Sequence, residues 1–240
     1  MIKTICHGLL LSGLILSSSA QAALPDNIQL QRETLRSLTL IIQLQAEGIQ
    51  SRQRQELHQD MQQLQLLLQR SGHSDSHYPK TLAHTLEALD GGQSPAAEEL
   101  DQLHEQALRL LDSSYSAETD SAYLALLMTE YLAMRYAFSS YIGIPTTSAR
   151  AQSGYYATNT DDLLLQLDQK LTSILSALND SGLSARWAML YRALSDTQDG
   201  WIRTRSGKAF TPIVVIRNAR VFSSQLAQLL DNQIQAAANN

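Results

Sequence analysis

LRSLTLIIQLQAEGIQSRQRQELHQDMQQLQLLLQR, residues 35–70, decides the fold class. Apolar side chains recur at Leu35, Leu38, Ile42 and Ile49, then at Leu57, Met61, Leu64 and Leu68. Steps of three, four, seven and eight put them on one face of a helix. Glutamine fills 12 of positions 29–69. It favours helix without adding charge, so it reads as a polar helix face and not as a low-complexity tract. With Asp26 as a cap, the pattern predicts one long helix from Asp26 to about Arg70, which would span about 66 Å if straight. No apolar residue lies between Ile49 and Leu57, just after Gly48. That gap marks a solvated stretch or a kink.

The chain beyond repeats the same pattern in shorter pieces. Pro79 suits a helix start, and Asp90-Gly91-Gly92 ends that helix. Ser94-Pro95 opens the next, to about Leu111, and a fourth runs from Asp120 to Tyr141, stopping at Gly143-Ile144-Pro145. Pro145–Asn159 is the longest expected loop. Asp161–Leu178 carries leucines at helical steps, Ser184 to about Leu194 forms another helix, and Thr211-Pro212 starts the last, toward Ile234. Ile213-Val214-Val215-Ile216 is β-branched and has strand character. Helix is the better assignment because Val215, Phe222, Leu226, Leu229 and Leu230 continue a helical stripe. The expected fold is all-α, an elongated helical bundle of about six or seven helices. Residues 23–144 would form an N-terminal helical half and 161–240 a C-terminal half, joined by the 145–160 loop as separate units or as one continuous bundle.

The N-terminus sets the expected compartment. Lys3 supplies one charge, Gly8–Leu16 is apolar except for Ser12, and Ala20-Gln21-Ala22 presents small residues at the cleavage positions. Residues 1–22 thus read as a signal peptide cut before Ala23, and the run is shorter than the ~20 residues that span a bilayer. The expected location is periplasmic, with secretion as the alternative, and no transmembrane anchor is expected. Cys6 is the only cysteine, so cleavage leaves a cysteine-free chain without thiol chemistry or disulfides.

Charge is unevenly placed. Residues 23–179 hold 19 acids and 10 bases, whereas residues 180–240 hold 4 acids and 7 bases. The acidic body argues against nucleic-acid binding. The basic C-terminal quarter directs attention to an anionic partner.

Three clusters carry candidate chemistry. His73 and His77, with His84 farther on, are weak metal candidates; Gly72 and the serines between them oppose the helical spacing that a ligand pair needs. They read first as surface histidines, and neither a metal nor a cofactor is expected. Tyr123, Tyr131, Phe138 and Tyr141 lie near one face of the fourth helix, with Glu130 and Arg135 beside them. That stripe reads as aromatic core, and more sharply as a ligand pocket or interface built on Tyr131, Arg135 and Tyr141. Arg135 needs a partner, either Glu130 or a small anion. Trp201, Arg203, Arg205 and Lys208 gather just before the last helix, where an acidic partner or anionic ligand would fit.

Catalytic motifs are not found. Asp161-Asp162 and Glu98-Glu99 open helices, where acids suit the dipole. The expected function is a periplasmic helical interaction or adaptor protein docking onto another cell-envelope component. The alternative is a ligand-sensing bundle that binds a small anion or amphipathic molecule between helices. A homo-oligomer is compatible with either.

Overall fold

The computed structural model describes residues 24–48, 51–142, 154–195 and 212–238. The expected signal peptide, most of the 145–160 loop and the segment carrying Trp201, Arg203, Arg205 and Lys208 lie outside the described residues. Within them the chain is all-helical: α1 Asp26–Glu47, α2 Ser51–Arg70, α3 Tyr78–Asp90, α4 Ala97–Ser114, α5 Ser121–Tyr141, α6 Thr160–Leu178, α7 Ser181–Ser195 and α8 Pro212–Ala238. A single 3-10 turn, Tyr155–Ala157, precedes α6. None of the described helices is long and apolar enough to cross a membrane.

The long first helix of the sequence reading is not formed. α1 ends at Gly48, whose backbone lies at φ 84° and ψ 160°, a region essentially reserved for glycine. The chain reverses there, and Arg70 at the end of α2 meets Asp26 at the start of α1, 2.9 Å away. The physical reason lies in residues 50–56, QSRQRQE, which have nothing to bury. Folding back lets Leu57, Leu64, Leu67 and Leu68 pack on α1, where a rod would leave them in water. The rod length that supported an elongated shape is therefore lost. Asp26 lies inside the first turn and Pro25 occupies the cap position. A Cβ on Gly48 would meet nothing within 4 Å, so its constraint is conformational. Gly48→Ala is expected to cost about 1–3 kcal/mol, read as a lower urea midpoint at constant m; an unchanged midpoint would contradict this account of the turn.

The other helices begin and end close to where the sequence placed them. Asp120 caps α5 by accepting from the Ala122 amide at 2.7 Å. Asn159 caps α6, and Asn179 ends it in the left-handed conformation at φ 52°. The β-branched Ile213–Ile216 run is helical.

Two helices form the centre. From Ala125 to Phe138 every residue of α5 is buried, as suits a helix enclosed on all sides. α1 is nearly as enclosed, with Gln31, Thr34, Ser37, Thr39 and Gln43 among its buried residues. α2, α3 and α4 pack around α1, while α6, α7 and α8 pack on α5. One hydrophobic cluster runs from Leu24 to Leu230, so the N-terminal and C-terminal halves share a core.

Candidate functional site

The aromatic stripe of α5 points into this core. Tyr131 is fully buried and donates its hydroxyl to the Tyr156 carbonyl at 2.9 Å. Tyr155 donates to Gln31 Oε1 at 3.1 Å, and Tyr156 donates to Asp112 Oδ1 at 2.8 Å. The rings of Tyr115, Tyr131, Tyr155 and Tyr156 meet edge to face, with centroids 5.1–6.3 Å apart, the arrangement favoured by the ring quadrupole. Gly154 allows the close turn: at φ 83°, any Cβ there would lie 2.8 Å from the Tyr156 ring. Burial pushes the Tyr155 hydroxyl well above its ordinary pKa, with its tyrosine neighbours adding to the shift, so it stays a neutral donor.

Arg135 belongs to the same assembly. Its Nη1 donates to the Thr158 carbonyl at 2.9 Å, and its guanidinium lies 5.8 Å from the Tyr131 ring centroid, within cation–π range. That hydrogen bond goes to a backbone carbonyl and not to Glu130, one of the partners considered from sequence. Five positions along a helix are about 140° of rotation, so Glu130 and Arg135 face different neighbours. Tyr141 is half-buried and donates to Glu47 at the end of α1. Tyr131 and Arg135 fasten residues 156–158 onto α5, while the hydroxyls of Tyr155 and Tyr156 tie the same turn to α1 and α4.

Glu130 organises a second interior cluster. Its Oε1 accepts from Arg36 Nε at 2.7 Å, from Arg32 Nε at 3.5 Å and from the Ser223 hydroxyl. Burial alone would raise the Glu130 carboxyl, but Arg36, Arg32 and Ser223 outweigh it and hold it below its ordinary 4.5. On α2 next to these groups, Glu56 pairs with Arg220 of α8, and Asp60 is pushed up to about 7 by burial and by Glu33. His104 is buried against Phe138, ring centroids 4.8 Å apart. Burial, helped by Arg135, pushes its imidazole down to about 4 and keeps it neutral.

Three surface cavities are lined by described residues alone. His73 and His77 line one of about 300 Å³ with Asp75 and Arg109, whereas His84 is exposed on α3 and does not line it. Among the described residues no three His, Cys, Asp or Glu side chains are placed to hold a metal ion. A second cavity, about 490 Å³, lies at the α6–α7 turn, beside Asp180 and Ser184. Both engage their own helix: Asp180 accepts from the Leu183 amide, and Ser184 donates to the Asp180 carbonyl.

The third is different in kind. A groove of about 530 Å³ runs between α7 and α8, lined by Ala185, Ala188, Met189, Ala193 and Val214, with Arg192 at its edge. Met189 and Val214 are 49% and 42% exposed, an unusual cost for two large apolar side chains facing each other across one groove. Arg217 lies about one turn along α8 from Val214. Arg192 and Arg217 are exposed and form no ion pair among the described residues. The sequence reading missed this groove. Its signal was Ala185, Ala188, Met189 and Ala193, an apolar set on α7 beyond the buried stripe of Leu183, Trp187, Leu190 and Leu194.

Comparison with protein-family models, with curated proteins and with solved structures found no match to this chain.

Proposed function

We propose that this protein is a helical interaction protein of the cell envelope, exported to the periplasm, which docks onto another envelope component through its α7–α8 groove. The occupant is the apolar face of an acidic amphipathic helix. The observation that carries this reading is the pairing of exposed Met189 and Val214 with Arg192 and Arg217, cations that form no ion pair among the described residues. An apolar helix face fills such a groove through side chains at i, i+3, i+4 and i+7. Its acidic flank meets the arginines, which give orientation and a faster encounter. The alanines of α7 let a partner backbone approach closely. The basic excess of residues 180–240 has the sign that an acidic partner needs.

A second reading has one observation of its own. The groove volume falls within the range of small-molecule sites, so an amphipathic molecule with an acidic head would satisfy the same chemistry. Substitutions within the groove test the shared site. Met189→Asp is expected to weaken association about tenfold or more, since it places a charge in the apolar contact. Arg192→Glu with Arg217→Glu is expected to slow association and reverse its salt dependence. Unchanged binding by both folded variants would refute the groove as the site.

A further inference from the structure

We propose that Met189 is a reversible oxidation site that switches the α7–α8 groove: as a thioether it belongs to the apolar contact, and as a sulfoxide it closes the groove to its partner. The effect on docking rests on the function proposed above, whereas the modification itself does not. The described residues hold no cysteine, so their readily oxidised sulfurs are the thioethers of Met61, Met128, Met134 and Met189. Met128 and Met134 are fully buried inside α5. Met61 on α2 is partly buried and packed against the core. Met189 is 49% exposed.

The access of an oxidant to Met189 follows from the residues around it. Ala185 and Ala193, four positions before and after, share its face of α7, and neither side chain is long enough to cover a neighbouring thioether. Val214 faces it across the groove and is itself exposed. The groove, about 530 Å³, admits a molecule as small as hydrogen peroxide. A buried thioether reacts only when its helix opens, whereas Met189 meets the oxidant in the folded state.

The chemistry is a two-electron oxygen transfer. The Met189 sulfur attacks one oxygen of hydrogen peroxide; the O–O bond breaks, an S–O bond forms, and the other oxygen leaves as water with both protons. Sulfur is oxidised and the peroxide reduced. Reversal takes two electrons from paired thiols of a methionine sulfoxide reductase, which become a disulfide, and the oxygen leaves as water. The sulfoxide places a polar S–O group among Ala185, Ala188 and Val214, where the apolar face of a partner helix cannot hydrate it. Arg192 lies one turn along α7 from Met189, within side-chain reach of the new acceptor, and is drawn away from the acidic flank of the partner. Both parts of the groove are altered, while the methionines of α5 keep the fold.

Peptide mapping by mass spectrometry during peroxide treatment of the purified protein tests the site. Met189 is expected to be half-converted about tenfold sooner than Met61, Met128 or Met134, with the helical circular dichroism spectrum unchanged. Photo-cross-linking tests the switch. Protein carrying a photo-reactive residue at position 214 is oxidised, freed of peroxide with catalase and mixed with an envelope fraction. The yield of the acidic-helix adduct is expected to fall about tenfold or more and to return after treatment with reductases for both sulfoxide epimers. It is expected to persist in peroxide-treated Met189→Leu, which keeps the apolar volume without the sulfur. The proposal is overturned if Met189 reacts no faster than Met61, if the adduct survives full oxidation of Met189, or if Met189→Leu loses it equally. Absence of the adduct from unoxidised protein overturns the docking function and the switch together, and the untreated sample tells that failure apart from the other three.

Discussion

Glu130→Ala is expected to lower stability by about 3–5 kcal/mol, because removing one partner of a buried ion pair leaves its counter-ion uncompensated. Arg36 and Arg32, with side chains only 14% and 13% exposed, would lose the acceptor that holds them. The Ser223 hydroxyl would lose its carboxylate as well, so α1, α5 and α8 are loosened together. In a chain of this size the loss corresponds to a melting temperature lower by about 6–20 °C. Glu130→Gln keeps size and an acceptor oxygen, and is expected to fall between wild type and alanine. The pH dependence supplies a second check. The Glu130 carboxyl is held below its ordinary 4.5, so its contribution is present above that value and disappears as pH falls through its lowered folded value. A calorimetric loss below about 1 kcal/mol for Glu130→Ala would contradict the cluster's place in the fold.

Tyr131→Ala is expected to cost about 3–5 kcal/mol, comparable to other truncations of a large aromatic in a core. The ring is fully buried, meets Tyr155 at 5.5 Å and lies beneath the Arg135 guanidinium. Its removal opens a cavity where residues 155–158 join α5. Tyr131→Phe keeps the ring but removes its hydrogen bond to the Tyr156 carbonyl, at about 0.5–1.5 kcal/mol. Urea unfolding measures both, as a shifted midpoint with unchanged m. Association by the folded fraction is expected to stay intact, which separates this residue from Met189. A variant that folds normally but fails to bind would return Tyr131 to the interface role considered from sequence.

Much of the helical framework is legible in the sequence because its signals are local. Asp120 and Asn159 lie where caps are needed, Asn179 where a left-handed residue ends a helix, and the leucines of α6 at regular steps. The apolar stripe of α8 correctly outweighed its β-branched start. The reversal at Gly48 was legible only as an interruption. A kink and a hairpin share the same gap in the apolar pattern, and the decision rests on Arg70 meeting Asp26 across the folded pair.

The interior polar clusters were not legible for a related reason. Glu130 finds Arg36 from 94 residues away, and Arg135 finds a backbone carbonyl, an acceptor with no residue signature. Asp60 stands in a polar, glutamine-rich helix and looks like any solvated acid, although burial and Glu33 push its carboxyl up. Taken singly, Met189 and Val214 carry no signal of a groove in the sequence, since periodicity reports an apolar side chain but not whether a neighbour covers it.

The most direct measurement of the docking proposal is site-specific photo-cross-linking in cells from position 214, with Leu66 on the outer face of α2, 56% exposed, as the control position. The expected result is a discrete protein adduct from Val214 that maps to an acidic amphipathic segment of a second envelope protein. It should be absent from Leu66 and lost on Met189→Asp. Equal labelling from both positions, a lipid-sized adduct, or an adduct only with another copy of this chain would contradict the groove as the seat of a partner helix.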